Sequence, residues 1–256
     1  MYQRQNAIQR RKKKKAPRCL GKLLLILLWV AAAFFMGRAV GKAEKYYGIV
    51  EYQPEEFGEQ GLEDDLGGDE AEALILVNKE NPLPDDYEVE LVTLPDRVHK
   101  GASQAYEPLC EMLNAGRREG LAFEVCSAYR DIERQRQLFE EDVVALMARG
   151  YSYERAYEEV AKETMPPGCS EHSTGLAFDI VALDYQLLDA GQERTEENIW
   201  LREHCAEYGF ILRYPKDKED ITQISYESWH FRYVGEKAAK EIMERGITLE
   251  EYLKDI

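Results

Sequence analysis

Two periods of hydrophobic and polar residues run along residues 73–256, and they predict a domain that mixes helices with strands. Apolar residues three and four positions apart predict helices, whereas alternating apolar and polar residues predict strands. The predicted helices are residues 105–118, 131–149, 152–163, 196–208 and 236–245, with a short helix after Thr248. The predicted strands are residues 87–94, 121–126, 176–183, 210–214 and 229–234. Because helices and strands do not alternate as regular β-α-β units, we expect an α+β fold with an antiparallel sheet.

Loops are predicted where proline, glycine or charged residues interrupt both periods. Pro166-Pro167-Gly168 breaks the chain between a helical pattern and a strand pattern. Residues 184–191 and 215–223 are two further predicted loops, and the second is rich in charge. Asp131 stands directly before a helical pattern, where an aspartate side chain can cap the first turn.

The N-terminal part of the chain follows neither period. Residues 23–37 contain no charged side chain, although this run is shorter than the roughly 20 residues of a full membrane span. Lys22 and Arg38 can extend the span by placing their charged ends at the membrane surface. We therefore predict a transmembrane anchor over residues 23–40. The alternative is a cleaved signal peptide, for which Ala39-Val40-Gly41 offers only a poor cleavage site.

The residues on either side of this predicted anchor differ sharply in charge. Residues 1–22 are rich in lysine and arginine and are predicted to form a cytoplasmic tail, because basic residues favour the inner side of a membrane. Residues 41–72 are rich in acidic residues and glycine and are predicted to form a flexible linker. The predicted domain, residues 73–256, would then lie outside the cell, tethered to the membrane by a single span.

The distribution of charge argues against a nucleic-acid partner. The formal net charge is -16, yet residues 1–42 hold 11 of the 33 Lys and Arg residues and no acidic residue. The remainder therefore carries 22 basic and 49 acidic residues, and a surface so acidic repels nucleic acid. The basic N-terminal segment could suggest RNA binding, but an apolar span follows it. We expect no nucleic-acid partner and a monomeric protein.

The cysteines leave two possibilities open. The chain has five, and Cys19 lies at the edge of the predicted anchor. The other four are Cys110, Cys126, Cys169 and Cys205. An even number in an exported domain permits two disulfides whose pairing the sequence does not give, and buried free thiols are an equally good interpretation.

A small set of residues has the composition of a catalytic zinc site. Such sites use three His or carboxylate ligands, an open position for water and a carboxylate that takes the proton of the water. The chain has four histidines. His172 precedes a predicted strand that contains Asp179 between Phe and Ile, where an unpaired carboxylate is costly to bury unless a metal offsets the cost. His230 lies on another predicted strand, three residues after Glu227.

Each of these features also has an ordinary structural explanation. A histidine on an apolar strand is usually a hydrogen-bonded core residue, an aspartate there can pair with an arginine, and Glu227 can be an exposed carboxylate. The sequence Ser-Ala-Tyr-Arg at 127–130 can be an ordinary strand end. His99 and His204 lack an apolar setting with a carboxylate at matching spacing, and we interpret them as surface or structural residues.

Three motifs taken together resemble a known family. They are Ser-Ala-Tyr-Arg at 127–130, Ser-Glu-His-Ser-Thr-Gly-Leu-Ala-Phe-Asp-Ile at 170–180 and Glu-Ser-Trp-His-Phe-Arg-Tyr-Val-Gly at 227–235. In this order they resemble the VanY-type D-alanyl-D-alanine carboxypeptidases of zinc peptidase family M15, which also includes LdcB-like L,D-carboxypeptidases. The resemblance covers about residues 73–250. It implies a hedgehog/DD-peptidase-like domain with a central antiparallel sheet flanked by helices.

The resemblance also implies a role for each residue of the site. One zinc ion would be bound by His172, Asp179 and His230, with Glu227 as the general base. Arg130 would act in catalysis by polarising the scissile carbonyl, or would bind a carboxylate of the substrate. The substrate-binding residues implied by the resemblance are Arg130, Gln135, Ser170, Tyr214 and Trp229. For the two aromatic residues in that set, plain core packing is a nearly equal interpretation.

Departures from the family pattern are small. They are Ala128, Asp131, Ser173 and Ser228, and none of them removes a catalytic group. Cys169 beside the second motif is unusual and could pair with Cys126, which lies close to the first motif.

The function implied by the resemblance is removal of the terminal D-Ala from the pentapeptide stems of peptidoglycan outside the cell. Three alternatives stay open: an L,D-carboxypeptidase acting on tetrapeptide stems, an endopeptidase, and a non-catalytic wall-binding module with a structural zinc. Residues 184–194 and 215–223 are expected to separate the carboxypeptidase specificities. Because binding of zinc does not need Glu227, its presence favours an enzyme.

Overall fold

The computed structural model describes residues 72–84 and 86–256. The predicted cytoplasmic tail, the predicted anchor and nearly all of the predicted linker lie outside these residues. Within the described part of the chain, no helix has both the length and the apolar character that a membrane crossing requires.

Helices and 3-10 turns surround a small sheet. The α-helices are α1 Ser103–Arg118, α2 Ile132–Ala148, α3 Tyr153–Val160, α4 Glu196–His204, α5 Glu219–Thr222, α6 Glu236–Arg245 and α7 Leu249–Asp255. The 3-10 turns are Glu171–Thr174, Gln192–Arg194 and Cys205–Tyr208. Asp131 caps α2 as predicted, since its side chain accepts a hydrogen bond from the backbone N–H of Arg134 at 2.6 Å.

Strands form two antiparallel sheets in the described residues. They are β1 Leu91–Thr93, β2 Lys100–Ala102, β3 Phe123–Ser127, β4 Ala177–Ala182, β5 Phe210–Tyr214 and β6 Glu227–Tyr233. The first two pair with each other, and the other four form one sheet in the order β3-β4-β6-β5. All strand pairs are antiparallel, which confirms the predicted α+β class with an antiparallel sheet.

The main hydrophobic core covers one face of the four-stranded sheet. Phe178 and Ile180 of β4 are fully buried there, together with Leu109 of α1 and Leu201 of α4. Because successive side chains of a strand point to opposite faces, Asp179 lies on the other face of the sheet. The core therefore packs against one face of β4, and Asp179 lies on the opposite face, outside this core.

The structure corrects several predicted boundaries. Only Leu91–Thr93 of the predicted strand 87–94 pairs, and its partner β2 was not predicted. The predicted charged loop at 215–223 contains the short helix α5. The predicted helix 196–208 ends as a 3-10 turn at Cys205–Tyr208. The predicted strand at 229–234 begins earlier, so that Glu227 is its first residue.

The four cysteines of the described residues are free thiols. The Cys126–Cys169 disulfide considered from the sequence is therefore not formed. Burial raises the pKa of the Cys126 thiol to about 11 and that of the Cys205 thiol to about 12, so both are protonated at neutral pH.

Candidate metal centre

The central pair of strands brings two of the predicted ligands together. Asp179 of β4 and His230 of β6 are direct partners in the antiparallel register. Side chains of residues directly opposite each other in such a pair share one face of the sheet and lie close together. Asp179 Oδ1 and His230 Nδ1 are 3.2 Å apart, and both side chains are buried.

The third predicted ligand comes from the segment just before β4. His172 lies in the 3-10 turn Glu171–Thr174, which ends at Gly175 in a left-handed conformation with φ 74°. A side chain at Gly175 would place its Cβ 2.8 Å from the backbone N of Ala102, so glycine is required there. His172 Nδ1 donates to the backbone carbonyl of Ala128 at 2.8 Å. This bond turns Nε2 toward Asp179 Oδ2, which is 3.3 Å away.

The arrangement of these three side chains fits a zinc ion. One ligand atom from each of His172, Asp179 and His230 lies within 4.8 Å of the others. Ligands about 2.0 Å from a tetrahedral zinc lie about 3.3 Å from one another, close to the separations measured to Asp179. Oδ1 of Asp179 is buried without a hydrogen bond. Two imidazoles and one carboxylate are also a donor set of catalytic zinc sites.

The electrostatics of the cluster favour a cation. Burial alone raises the pKa of Asp179, but His172 and His230 hold it well below its usual range, so the carboxylate stays ionised. Burial alone lowers the pKa of His230, yet its contacts with Asp179 and Glu171 raise the pKa to about 9. Positive charge is therefore stabilised at the position that the three side chains surround.

A bulge in β6 places the predicted general base beside the ligands. Leu212 pairs with Phe231, whereas Tyr214 pairs with Glu227, so β6 contains two extra residues at this point. Glu227 Oε2 consequently lies 3.6 Å from His230 Nδ1. Burial raises the pKa of the Glu227 carboxyl to about 8 despite the opposing effects of His230 and Arg130. A carboxyl with a pKa near the working pH can both accept and return a proton.

Arg130 lies at the edge of the same cluster. Its backbone N–H donates to the carbonyl of His172 at 3.1 Å, which connects the segment after β3 to the ligand turn. Burial lowers the pKa of the guanidinium, and the carboxylates of Asp179 and Glu227 oppose that effect. Its Nε is buried and has no hydrogen-bond partner among the described residues. A buried cationic donor without a partner can bind an anionic or carbonyl oxygen of a ligand.

The other predicted substrate-binding residues are distributed around this cluster. The ring of Tyr214 lies 4.8 Å from the ring of His230. Gln135 is buried and donates to the backbone carbonyl of Met165 at 2.7 Å, while its Oε1 is unpaired in the described structure. Ser170 is buried next to the ligand turn, and Trp229 is half-buried on β6. Their roles toward a substrate stay predictions.

Sequence analysis missed two residues that support the site. Asn198 of α4 donates to the backbone carbonyl of Ser228 at 2.6 Å and so holds β6 between Glu227 and His230. Glu171 is fully buried beside His172 and contacts Arg213 and Arg232. The available signal was the presence of these arginines within apolar strands, because a buried charge needs a partner.

The family model for VanY, D-alanyl-D-alanine carboxypeptidase, matches residues 98–236. This range contains all three motifs and every residue of the site. The chain belongs to the VanY family. Its membership confirms the resemblance drawn from the sequence.

Known relatives of the VanY family agree with this match. The chain is 41% identical over 191 residues to a D-alanyl-D-alanine carboxypeptidase of Enterococcus faecalis. The aligned region covers 73% of this chain and 68% of that protein. A crystal structure of a mutant vancomycin resistance D,D-pentapeptidase VanY in complex with Zn(II) is similar with a TM-score of 0.63 and 39% identity, over 71% of this chain and 99% of that one. The structure of the LdcB LD-carboxypeptidase is similar with a TM-score of 0.64 and 36% identity. The similarity covers 72% of this chain and 86% of that one.

Proposed function

We propose that this chain is a zinc carboxypeptidase that removes the C-terminal D-Ala from the stem peptides of peptidoglycan. The observation that carries the proposal is the cluster of His172, Asp179 and His230 beside the half-buried side chain of Glu227. Membership in the VanY family supplies the substrate class. The zinc-bound VanY relative supports the choice of metal.

His172, Asp179 and His230 would hold the metal. The chemistry that zinc supplies at such a site is Lewis acidity, which lowers the pKa of water towards ~7 and polarises a carbonyl. The bond from His172 Nδ1 to the carbonyl of Ala128 leaves Nε2 of the same ring with its lone pair free for the metal. The 3.2 Å contact between Asp179 Oδ1 and His230 Nδ1 likewise keeps both side chains directed toward the metal position.

Glu227 would act as the general base and then as the general acid. Its side chain is half-buried and lies at the edge of the ligand cluster, 3.6 Å from His230 Nδ1. In this position it can accept the proton of the attacking water and return it to the departing amine. The β6 bulge matters for this role, since it sets the carboxyl beside the ligand face of the sheet.

Arg130 would bind the part of the substrate that develops or carries negative charge. Its unpaired Nε and its nearness to Glu227 allow it to hold the terminal carboxylate or the scissile carbonyl. Gln135 and Ser170 would assist it, and Tyr214 and Trp229 would form walls of the pocket. A site that holds a free carboxylate favours an exopeptidase over an endopeptidase.

A second candidate, removal of D-Ala from tetrapeptide stems, rests on a specific similarity. The solved LdcB relative is an LD-carboxypeptidase, and it shares 36% of its aligned residues with this chain. The D,D activity is favoured because the family model and the curated relative both carry that name.

The test is cleavage of stem peptides of different lengths by the full-length protein loaded with zinc. A pentapeptide ending in D-Ala-D-Ala is expected to lose one D-Ala, measured as a loss of mass. The same peptide with an amidated C-terminus is the matched control, and it is expected to be cut at least about tenfold more slowly because it lacks a charged partner for Arg130.

The other outcomes each change the assignment. Cleavage of a tetrapeptide alone would move the activity to the L,D class. Equal cleavage of the amidated and free pentapeptides would contradict a carboxylate-binding role for Arg130. A protein that binds zinc and cuts none of these stems would exclude the carboxypeptidase proposal and favour a wall-binding module.

We also propose that residues 23–40 anchor the protein in the cell membrane, with residues 1–22 inside the cell and the domain outside. The support is the uncharged run at 23–37 that follows a basic cluster. Full-length protein is expected in the membrane fraction of intact cells and to be degraded by externally added protease. Release of a shortened chain into the medium would instead indicate a cleaved signal peptide. The monomeric state stays a prediction.

A further inference from the structure

Glu171 belongs to a buried group of charges beneath the metal centre. Its Oε1 accepts a hydrogen bond from Arg213 Nε at 2.7 Å and lies 3.1 Å from Arg232 Nη1. Arg213 in turn donates two hydrogen bonds to Glu250 of α7, at 2.9 and 2.6 Å. All four side chains are almost completely buried.

The two positive and two negative charges of this group balance each other. The arginines therefore balance the negative charge of Glu171 without a metal ion. This charge is not needed to neutralise a bound metal. The contacts of Oε1 with two arginines also fix the orientation of the carboxylate. Because Oε1 is held by the two arginines, Oε2 of the ionised Glu171 carboxylate points in a fixed direction and can accept a hydrogen bond.

That second oxygen faces one of the proposed ligands. Glu171 Oε2 lies 3.6 Å from His230 Nε2, and neither atom has a hydrogen-bond partner among the described residues. The opposite nitrogen of the same ring, Nδ1, faces Asp179. A neutral imidazole that binds a metal through Nδ1 carries its proton on Nε2, and that buried proton needs an acceptor.

We propose that Glu171 is a positioning residue that accepts the Nε2–H of His230 and so fixes the tautomer that presents Nδ1 to the metal. The inference rests on the zinc site of the proposed function. Metal-binding histidines generally donate their second ring N–H in this way, which fixes the orientation of the ring. The ring of His172 is oriented by a different acceptor, because its Nδ1 donates to the backbone carbonyl of Ala128.

Glu171→Gln tests this role with nearly unchanged side-chain volume. The amide oxygen is expected to stay with Arg213 and Arg232, which are both donors, and the NH2 group would then face His230 Nε2. A donor facing a donor opposes the proposed tautomer. We expect the zinc affinity of the full-length protein, measured by competition with a chromophoric chelator, to fall by about 10- to 100-fold.

Glu250→Gln is the matched control variant. It alters the same buried charges through Arg213, but the contacts of Glu250 are with Arg213 and not with the ring of His230. It is expected to lower the stability of the metal-free protein toward urea and to change zinc affinity by no more than about twofold. If both variants lose zinc affinity in proportion to their loss of stability, Glu171 is only a structural residue and the proposal is overturned.

A measurement on the unaltered protein covers the case in which Glu171→Gln does not fold. Nitrogen-15 NMR of the histidine rings distinguishes the two nitrogens, and the chain has four histidines to assign. In the zinc-loaded protein His230 is expected to carry its proton on Nε2. A proton on Nδ1 would overturn the proposal.

The activity assay separates this inference from the proposed function. If the unaltered protein cuts the stem pentapeptide and Glu171→Gln binds zinc as tightly, the positioning role fails and the carboxypeptidase stands. If Glu171→Gln loses zinc affinity selectively but the unaltered protein cuts no stem, the positioning role stands and the carboxypeptidase fails.

Discussion

Replacing Glu227 with alanine is expected to lower kcat/KM for the stem pentapeptide by ~10²- to 10⁴-fold. The physical reason is the loss of a half-buried carboxyl that lies at the edge of the ligand cluster and has a pKa of about 8. Because Glu227 is outside the proposed set of three ligands, zinc is expected to stay bound. Activity and zinc content are therefore measured on the same preparation.

Glu140→Ala serves as the control for this variant. Glu140 is an exposed residue of α2, so its replacement tests the loss of a carboxylate without a change at the site. It is expected to leave kcat/KM unchanged. If Glu227→Ala keeps its zinc and retains activity within about threefold of the unaltered protein, the carboxyl is not the general base.

Replacing Arg213 with methionine is expected to have the largest effect on stability. The change removes the cation that lies between Glu171 and Glu250 and leaves those carboxylates buried with only Arg232 to compensate them. Removing one partner of a buried ion pair usually lowers the free energy of unfolding by about 3–5 kcal/mol. Urea denaturation of the metal-free protein measures the loss without any contribution from zinc binding.

Arg245→Met is the matched comparison at the surface. Arg245 forms ion pairs with Glu241 and Asp255, but these side chains are exposed to solvent. Exposed ion pairs contribute little to stability, so this variant is expected to unfold at nearly the same urea concentration as the unaltered protein. Similar losses for the two variants would show that the buried group at Arg213 has no special energetic role.

Most of the sheet could be predicted because its strands carry strong local signals. The apolar strand patterns at 176–183 and 210–214 correspond to β4 and β5 almost residue for residue. β2 could not be predicted, since Lys100–Ala102 is short and has no alternating pattern. The predicted strand at 87–94 was too long because β2, its partner, has only three residues to pair with it.

The metal cluster could be predicted more readily than the charges beneath it. Its ligands belong to two short motifs with recognisable spacing, whereas Glu171, Arg213 and Glu250 are separated by 42 and 37 residues along the chain. A single sequence gives no information on which buried arginine meets which carboxylate. Arg213 and Arg232 could have been identified as buried charges from their apolar strands, but not their partners.

The same separation along the chain affects the order in which the buried charges next to the metal centre assemble. Contacts between residues far apart in sequence form late in folding, because closing long loops costs entropy before any interaction rewards it. During synthesis, Glu171 and Arg213 precede Glu250, so the last carboxylate of the buried group arrives after both arginines are present. Until α7 docks, Arg213 lacks its partner Glu250, and the buried group carries an excess positive charge. Completion of the buried group is therefore expected to be a late event in the folding of a newly made chain, whether or not zinc is already bound.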